Sequence, residues 1–150
     1  MNFDSIEAVL DFAIAGEIEA YQFYLDLAGK VEKPWMKKVF EDFAREELGH
    51  RAKLEGIKSG KFLQPAPEKV TDLKIADYTV DVQASPAMEY ADALILAMKK
   101  EKAAFKLYSD LADRSPQAEY RDTFLALAQE EAKHKLRFEL EYDDHVHAGY

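Results

Sequence analysis

The sequence contains no cysteine among its 150 residues, and it has only six glycines and five prolines. Without thiols the chain cannot form disulfides, hold an iron–sulfur cluster or bind zinc through cysteine, so any bound metal must be held by histidine and carboxylate side chains. The sequence also lacks an apolar run near the roughly 20 residues that a membrane-spanning helix needs. Scarce glycine and proline, found mostly between long periodic segments, favour a mostly helical chain.

Positive charge is also scarce, because 20 Lys and Arg stand against 29 Asp and Glu, which gives a formal net charge of -9. Such a chain repels phosphate backbones and anionic headgroups, and no local basic patch offsets the repulsion, so we expect neither nucleic acid nor a membrane as partner. The first residues show no basic segment leading into an apolar run, so we expect no signal peptide and a cytoplasmic location. Length and composition predict one domain over residues 1–150.

Four segments of roughly 25 residues each repeat apolar residues every three or four positions, as helices do. The first opens at Asp4, where Glu7 completes a capping-box pattern, and the second opens near Pro34, a residue suited to a first helical turn. The third and fourth open on Ser85-Pro86 and Ser115-Pro116, each an N-cap candidate followed by proline. The segments predict two helical hairpins, over residues 4–58 and 86–143.

The linker between the hairpins, residues 59–85, is long enough to run the full length of a helical bundle. Extended, it reaches up to roughly 90 Å, whereas a helix of about 25 residues is near 37 Å long. A β-branched stretch over residues 75–82 allows a short strand, which would need a partner. The predicted fold is therefore all-α, a four-helix bundle in up-down-down-up order with one long crossover between helices 2 and 3.

The two hairpins carry an internal repeat. Shifting the chain by 84 residues aligns positions 13–55 with 97–139 without a gap, and 13 of the 43 pairs are identical. A duplicated hairpin relates its halves by a pseudo-twofold axis. Side chains in the middle of equivalent helices should therefore converge.

Each half carries the same polar trio, a glutamate on its first helix and Glu-x-x-His on its second. The six residues are Glu17, Glu47, His50, Glu101, Glu131 and His134. The i, i+3 spacing puts the glutamate and histidine of each pair on one helical face. All six interrupt apolar stripes that should face the core, whereas the adjacent Glu46 and Glu130 fall off those stripes and are predicted to be surface residues.

Four carboxylates in a core need positive charge beside them, because burying even one uncompensated charge costs several kcal/mol. No lysine or arginine lies on the same stripes near the middle of the helices. Two divalent cations would balance the four carboxylates, and the nitrogen and oxygen ligands suit iron or manganese. The pattern predicts a dinuclear metal site.

The six-residue set resembles the ligands of the ferritin-like di-iron carboxylate proteins, in which two helices supply one glutamate each and two supply Glu-x-x-His. The sequences around it, Ala15-Gly16-Glu17 through Tyr24 and Phe40 through Glu47, most resemble the rubrerythrin branch. The resemblance spans all four helices. It implies the ferritin-like fold and two bound iron ions, with manganese as the other possible metal.

Roles for individual residues also follow from the resemblance. Glu47 and Glu131 would be bridging ligands, Glu17 and Glu101 terminal ligands, and His50 and His134 would give one imidazole to each metal. Tyr24 and Tyr108 lie seven residues after the terminal glutamates. They are predicted either to be core aromatics or to donate hydrogen bonds to ligand carboxylates or oxygen intermediates.

The chain departs from the rubrerythrin pattern in two respects. Rubrerythrins carry a further glutamate one turn after the ligand on the third helix, where this chain has Ala104, and they carry a four-cysteine rubredoxin domain, whereas this chain has no cysteine. The resemblance therefore implies a di-iron oxidoreductase that reduces hydrogen peroxide or dioxygen with an external electron donor, such as a rubredoxin-like protein, in defence against oxidative stress.

The resemblance further implies a homodimer, since ferritin-like bundles commonly pair along their sides. Three alternatives stay open at this point. The protein could oxidise and store iron as ferritins do, it could act as a manganese catalase does, or it could be a purely structural bundle without metal.

Overall fold

The computed structural model describes residues 5–59, 78, 80, 88–115 and 117–147. Four helices make up nearly all of these: α1 is Ile6–Lys30, α2 is Pro34–Ser59, α3 is Tyr90–Asp113 and α4 is Ala118–His147. These ranges contain no strand. The strand considered over residues 75–82 lies outside the described residues apart from Tyr78, which is in a 3₁₀ turn, and Val80.

Contacts between helix ends confirm the up-down-down-up order. Three residues separate α1 from α2, so the two helices are antiparallel neighbours. Lys30, which ends α1, donates to the Met88 carbonyl just before α3 (3.1 Å), and Lys33, just before α2, pairs with Glu141 near the end of α4 (3.2 Å). Helix α3 therefore begins where α1 ends, and α4 ends where α2 begins, which requires a crossover along the whole bundle.

Three of the four predicted helix starts are displaced, those of α1, α3 and α4. Ser5 caps α1 through a hydrogen bond that its Oγ accepts from the Ala8 amide (3.1 Å), so the prediction of Asp4 as cap, a residue outside the described ranges, is wrong. Helix α3 begins only at Tyr90 because Glu89 has extended backbone (φ -65°, ψ 150°). The predicted start at Ser85-Pro86 is therefore too early, and both of those residues lie outside the described ranges.

The fourth helix also begins later than predicted. The Ser115 hydroxyl donates back to the Leu111 carbonyl (2.7 Å), so this side chain satisfies the end of α3 and does not cap α4. Helix α4 begins at Ala118 and continues to His147, beyond the predicted end at residue 143.

The core consists of two apolar clusters at opposite ends of the bundle. One contains Leu10, Leu54, Leu111 and Phe124, and the other contains Leu27, Phe40, Leu94 and Phe138. Each cluster takes side chains from all four helices, so burial of apolar area binds the hairpins together at both ends. The middle of the bundle is left to polar side chains. None of the described helices is long and apolar enough to span a bilayer.

Candidate metal centre

All six residues singled out from the sequence converge in the layer between the two apolar clusters. Their side chains are buried, with at most 3% of the residue exposed: Glu17, Glu47, His50, Glu101, Glu131 and His134. Each lies at the middle of its helix on the face that buries the apolar stripe. The periodicity that builds the core therefore also carries these polar groups inward.

The donor atoms form two overlapping groups. One contains Glu17, Glu47, His50 and Glu131, and the other contains Glu47, Glu101, Glu131 and His134, with one donor atom from each residue lying within 4.8 Å of the others in its group. Ligands bound at about 2.0–2.2 Å lie within roughly 4.4 Å of each other across a metal ion. Each group can therefore hold one cation with little adjustment, and Glu47 and Glu131 belong to both.

Both histidines turn Nδ1 toward the carboxylates of the other hairpin. His50 Nδ1 lies 3.0 Å from Glu131 Oε1, and His134 Nδ1 lies 3.1 Å from Glu47 Oε1. Phe43 stacks on the His134 ring with 4.0 Å between ring centroids, which fixes the orientation of that imidazole. Nδ1 is therefore the nitrogen that each imidazole offers to a metal.

The other imidazole nitrogen reaches Glu46 or Glu130. Glu46 Oε2 lies 2.7 Å from His134 Nε2, and Glu130 contacts His50 Nε2 in the same way. Glu46 and Glu130 do lie at the surface as predicted, with 52% and 42% of their side chains exposed, but their contacts with the histidines were not predicted. A carboxylate that accepts Nε2–H holds the ring in position and leaves Nδ1 free as a ligand. The repeat contained a signal for this role, because Glu46 and Glu130 are one of its identical pairs.

The two equivalent tyrosines make different contacts. The Tyr108 hydroxyl donates to Glu17 Oε1, as one of the two alternatives for this residue predicted. Tyr24 is fully buried with its ring edge toward His134 (6.2 Å between centroids), but its hydroxyl has no hydrogen-bond partner. Burial and the nearby Glu17 carboxylate raise the pKa of Tyr108, so its phenol stays protonated as a donor.

Seven donor atoms of the six residues are buried without a hydrogen-bond partner. They are Glu17 Oε2, both Glu47 carboxylate oxygens, Glu101 Oε2, Glu131 Oε1, and Nδ1 of His50 and of His134. Native cores rarely leave polar atoms in this condition. In the described part of the chain, the histidines are the only basic side chains paired with these carboxylates. The donor set therefore fits bound cations.

Proton affinities in the cluster reflect this lack of positive charge. Burial raises the pKa of both Glu47 and Glu101 well above its usual value, and the Glu131 carboxylate raises it further. Burial alone would lower the pKa of His50, but the nearby Glu131 and Glu17 carboxylates raise it to about 10. Burial likewise opposes ionisation of Glu17, but its hydrogen-bond partners and His50 outweigh burial and lower its pKa. Without metal, protons supply the compensating charge.

The ferritin-like class of dimetal carboxylate proteins is defined by a four-helix bundle of this order. In that class two helices carry Glu-x-x-His, the other two carry one glutamate each, and these side chains face one another in the core. Comparison with known proteins narrows the class further. The Rubrerythrin family model matches residues 8–142. The chain belongs to the rubrerythrin family.

Two solved structures share the fold. A hypothetical protein from Pyrococcus furiosus has a TM-score of 0.74 and 28% identity, over 92% of this chain and 88% of that one. A protein from Thermotoga maritima described as ferritin-like and diiron-carboxylate has a TM-score of 0.80 and 19% identity, over 96% of this chain and 98% of that one. The comparison with curated proteins finds no match.

Proposed function

We propose that this protein is a di-iron oxidoreductase of rubrerythrin type that reduces hydrogen peroxide or dioxygen. The observation that supports it best is the set of seven buried donor atoms without partners, grouped as two cation sites that share Glu47 and Glu131. A structural bundle gains nothing from such a set, because every unpaired buried polar atom costs free energy. Membership of the rubrerythrin family supports iron over other metals, with manganese as the alternative.

Each proposed ligand has a position consistent with its role. Glu47 and Glu131 would bridge, since both belong to both groups, Glu17 with His50 would complete one site, and Glu101 with His134 would complete the other. Two Fe(II) ions held there supply the two electrons that, with two protons, reduce one hydrogen peroxide to two waters. Glu46 and Glu130 hold the imidazole rings of His134 and His50 in position.

The electrons would come from another protein, in keeping with a chain that has no cysteine and hence no rubredoxin-type iron of its own. A rubredoxin-like donor fits this requirement. The proposal includes a cytoplasmic location and a homodimer, the dimer because ferritin-like bundles commonly pair along their sides. Sedimentation velocity tests the dimer, and reduction of the oxidised protein by a rubredoxin tests the donor.

The decisive experiment is anaerobic loading with Fe(II), followed by metal analysis and stopped-flow mixing with peroxide or dioxygen. We expect about two irons per chain and rapid oxidation by at least one oxidant. Glu17→Ala and Glu101→Ala should lower both metal content and oxidation rate, whereas Asp26→Ala, which removes an exposed carboxylate of α1 outside the cluster, should change neither.

Other outcomes identify the alternatives. Failure to bind either iron or manganese contradicts the metal centre. Two bound manganese ions with peroxide disproportionation would indicate a catalase. Oxidation by dioxygen followed by growth of an iron mineral would indicate storage. Unchanged metal content in both alanine variants would show that the ligands have been assigned wrongly.

A further inference from the structure

A cavity of about 370 Å³ lies between α1 and α3 and reaches the carboxylate cluster. Glu17, Glu47, Glu101 and Glu131 line its inner part, and Tyr78 and Val80 of the crossover also line it. Peroxide and dioxygen are each near the size of one or two water molecules, and a water occupies about 30 Å³ in the liquid. The cavity has far more room than either oxidant needs, and it falls within the size range of sites for small organic ligands.

Small side chains create this space. On α1 the cavity is lined by Ala13, Gly16 and Ala20, and on α3 by Ala103 and Ala104. A Cβ added at Gly16 would meet no atom within 4 Å, so the wall is open there. Ala104, three residues after Glu101, contributes only a methyl group and no charge to this wall.

Among the described residues, the cavity lining has one cationic side chain, that of Lys100, and one carboxylate outside the metal cluster, that of the exposed Glu19. Lys100 Nζ lies 5.6 Å from the centroid of the Phe23 ring, and the described residues give it no carboxylate partner. Lys100 is half-buried whereas Glu101 and Glu131 are almost fully buried, so Lys100 belongs to the outer part of the cavity lining. A half-buried cation that forms no ion pair with a described carboxylate, Glu19 included, favours an anionic ligand.

We propose that this cavity binds a small organic monocarboxylate, with its apolar chain along the alanine walls and its carboxylate on Lys100. The chain end would then lie beside the metal centre. The inference rests on the proposed function in one respect. Four uncompensated carboxylates would repel an anion, and two bound divalent cations remove that repulsion.

Isothermal titration calorimetry with hexanoate tests the proposal, on protein loaded anaerobically with Fe(II) and with its metal content measured. Hexanol serves as the uncharged probe. Lys100→Gln should weaken hexanoate binding about tenfold, as expected for loss of a charge-assisted contact, and should leave hexanol binding unchanged. Lys99→Gln, which removes an exposed charge from the neighbouring position, should change neither.

Filling the cavity tests the position of the chain. Gly16→Leu and Ala104→Leu should each lower the affinity for both probes at least fivefold, whereas Gly29→Leu, at an exposed glycine of α1, should not. The proposal would be overturned if hexanoate bound the Lys100→Gln variant as well as the unaltered protein, since its carboxylate would then lie elsewhere. It would also be overturned if hexanoate bound both the Gly16→Leu and Ala104→Leu variants equally well, since its chain would then lie elsewhere. Absence of binding to protein that holds two irons overturns it as well. Absence of metal is a separate result, which contradicts the metal centre and, with it, this inference.

Discussion

Two tyrosines at equivalent positions of the repeat differ in what their hydroxyls do, and this difference can be measured. Tyr108 donates to Glu17 inside the core, so Tyr108→Phe leaves a carboxylate oxygen without its donor. We expect a loss of about 1.5–3 kcal/mol in the free energy of unfolding of the metal-free protein. Tyr24→Phe removes a hydroxyl that has no partner and should cost nothing or stabilise slightly.

Urea denaturation followed by circular dichroism gives both values. The tyrosines are an internal control for each other, since both are buried to the same degree and both lose one hydroxyl. Equal losses in the two variants would mean that the Tyr24 hydroxyl also has a partner in solution.

Glu46 and Glu130, which contact the Nε2 atoms of the two histidines, lead to a second prediction. Glu130→Gln and Glu46→Gln should each weaken metal binding by roughly 10–100-fold, because an amide accepts Nε2–H less strongly than a carboxylate and holds the ring less well. Competition with a metal chelator measures the change. Glu41→Gln on α2, whose side chain forms no hydrogen bond or ion pair with the described residues, should leave the affinity unaltered. A small effect at both Glu46 and Glu130 would return them to the surface role predicted from sequence.

Those two glutamates show where residue-level prediction from sequence ends. Periodicity identifies which side chains face inward on one helix, and it placed Glu17, Glu47 and His50 correctly in the core. Glu130 contacts a histidine of the other hairpin, across the bundle, and helical periodicity contains no information about such a contact.

At the scale of helices, the long periodic segments predict the four elements well and their ends less well. Pro34 does begin α2, and Gly and Pro correctly separate the hairpins. Ser115 misleads because a serine hydroxyl can bond forward as a cap or backward to the preceding turn, and here the backward bond to Leu111 forms. Tertiary contacts decide between the two, and the local sequence does not contain them.

A buried ion pair joins the elements at the end of the bundle where α4 finishes. Glu141 is 3% exposed and accepts from Lys33 (3.2 Å) and from the Tyr90 hydroxyl (2.7 Å). Among the described residues, Lys33 is the only cation that forms an ion pair with this carboxylate. For Lys33→Ala we therefore expect a loss of about 2–4 kcal/mol in unfolding free energy, less than for a fully buried pair because Lys33 is itself partly exposed.

Chemical denaturation again supplies the measurement. Lys38→Ala is the matched control, because Lys38 pairs with Asp42 at 3.9 Å on the open surface, where such pairs contribute at most about 1 kcal/mol. If the two lysine variants lost similar stability, Glu141 would have to be protonated or solvated in the folded protein.

For the molecule as a whole, the internal repeat is the feature of the sequence that predicted most. It placed equivalent trios on two hairpins, and the structure brings all six residues into one layer. The cavity between α1 and α3 was not predicted. Its volume depends on how far apart two helices of different hairpins pack, and the alanines that line it look in sequence like ordinary core residues.

Because the molecule is acidic, both its metal affinity and its folding stability should depend on pH. Two divalent cations change the formal net charge from -9 to -5, since each adds two positive charges. In the metal-free protein the pKa values of Glu47 and Glu101 are raised, and that of His50 is raised to about 10. A group whose pKa is raised by folding makes its full contribution to stability only below the pKa that it has in the unfolded chain. That contribution is lost as the pH rises through the pKa that the group has in the folded protein.

Metal-free protein should therefore lose stability from this cluster as the pH rises from about 4.5 to about 10, because Glu47 and Glu101 lose their contribution above their ordinary pKa of 4.5 and His50 loses its contribution between 6.5 and about 10. Bound cations take the place of those protons, and binding becomes tighter as fewer protons must be displaced. We expect the difference in melting temperature between metal-loaded and metal-free protein to widen over this interval. Glu101→Gln, which cannot ionise at this position, should flatten the pH dependence of the metal-free protein. A constant or narrowing difference would show that protons do not balance the four carboxylates when the metals are absent.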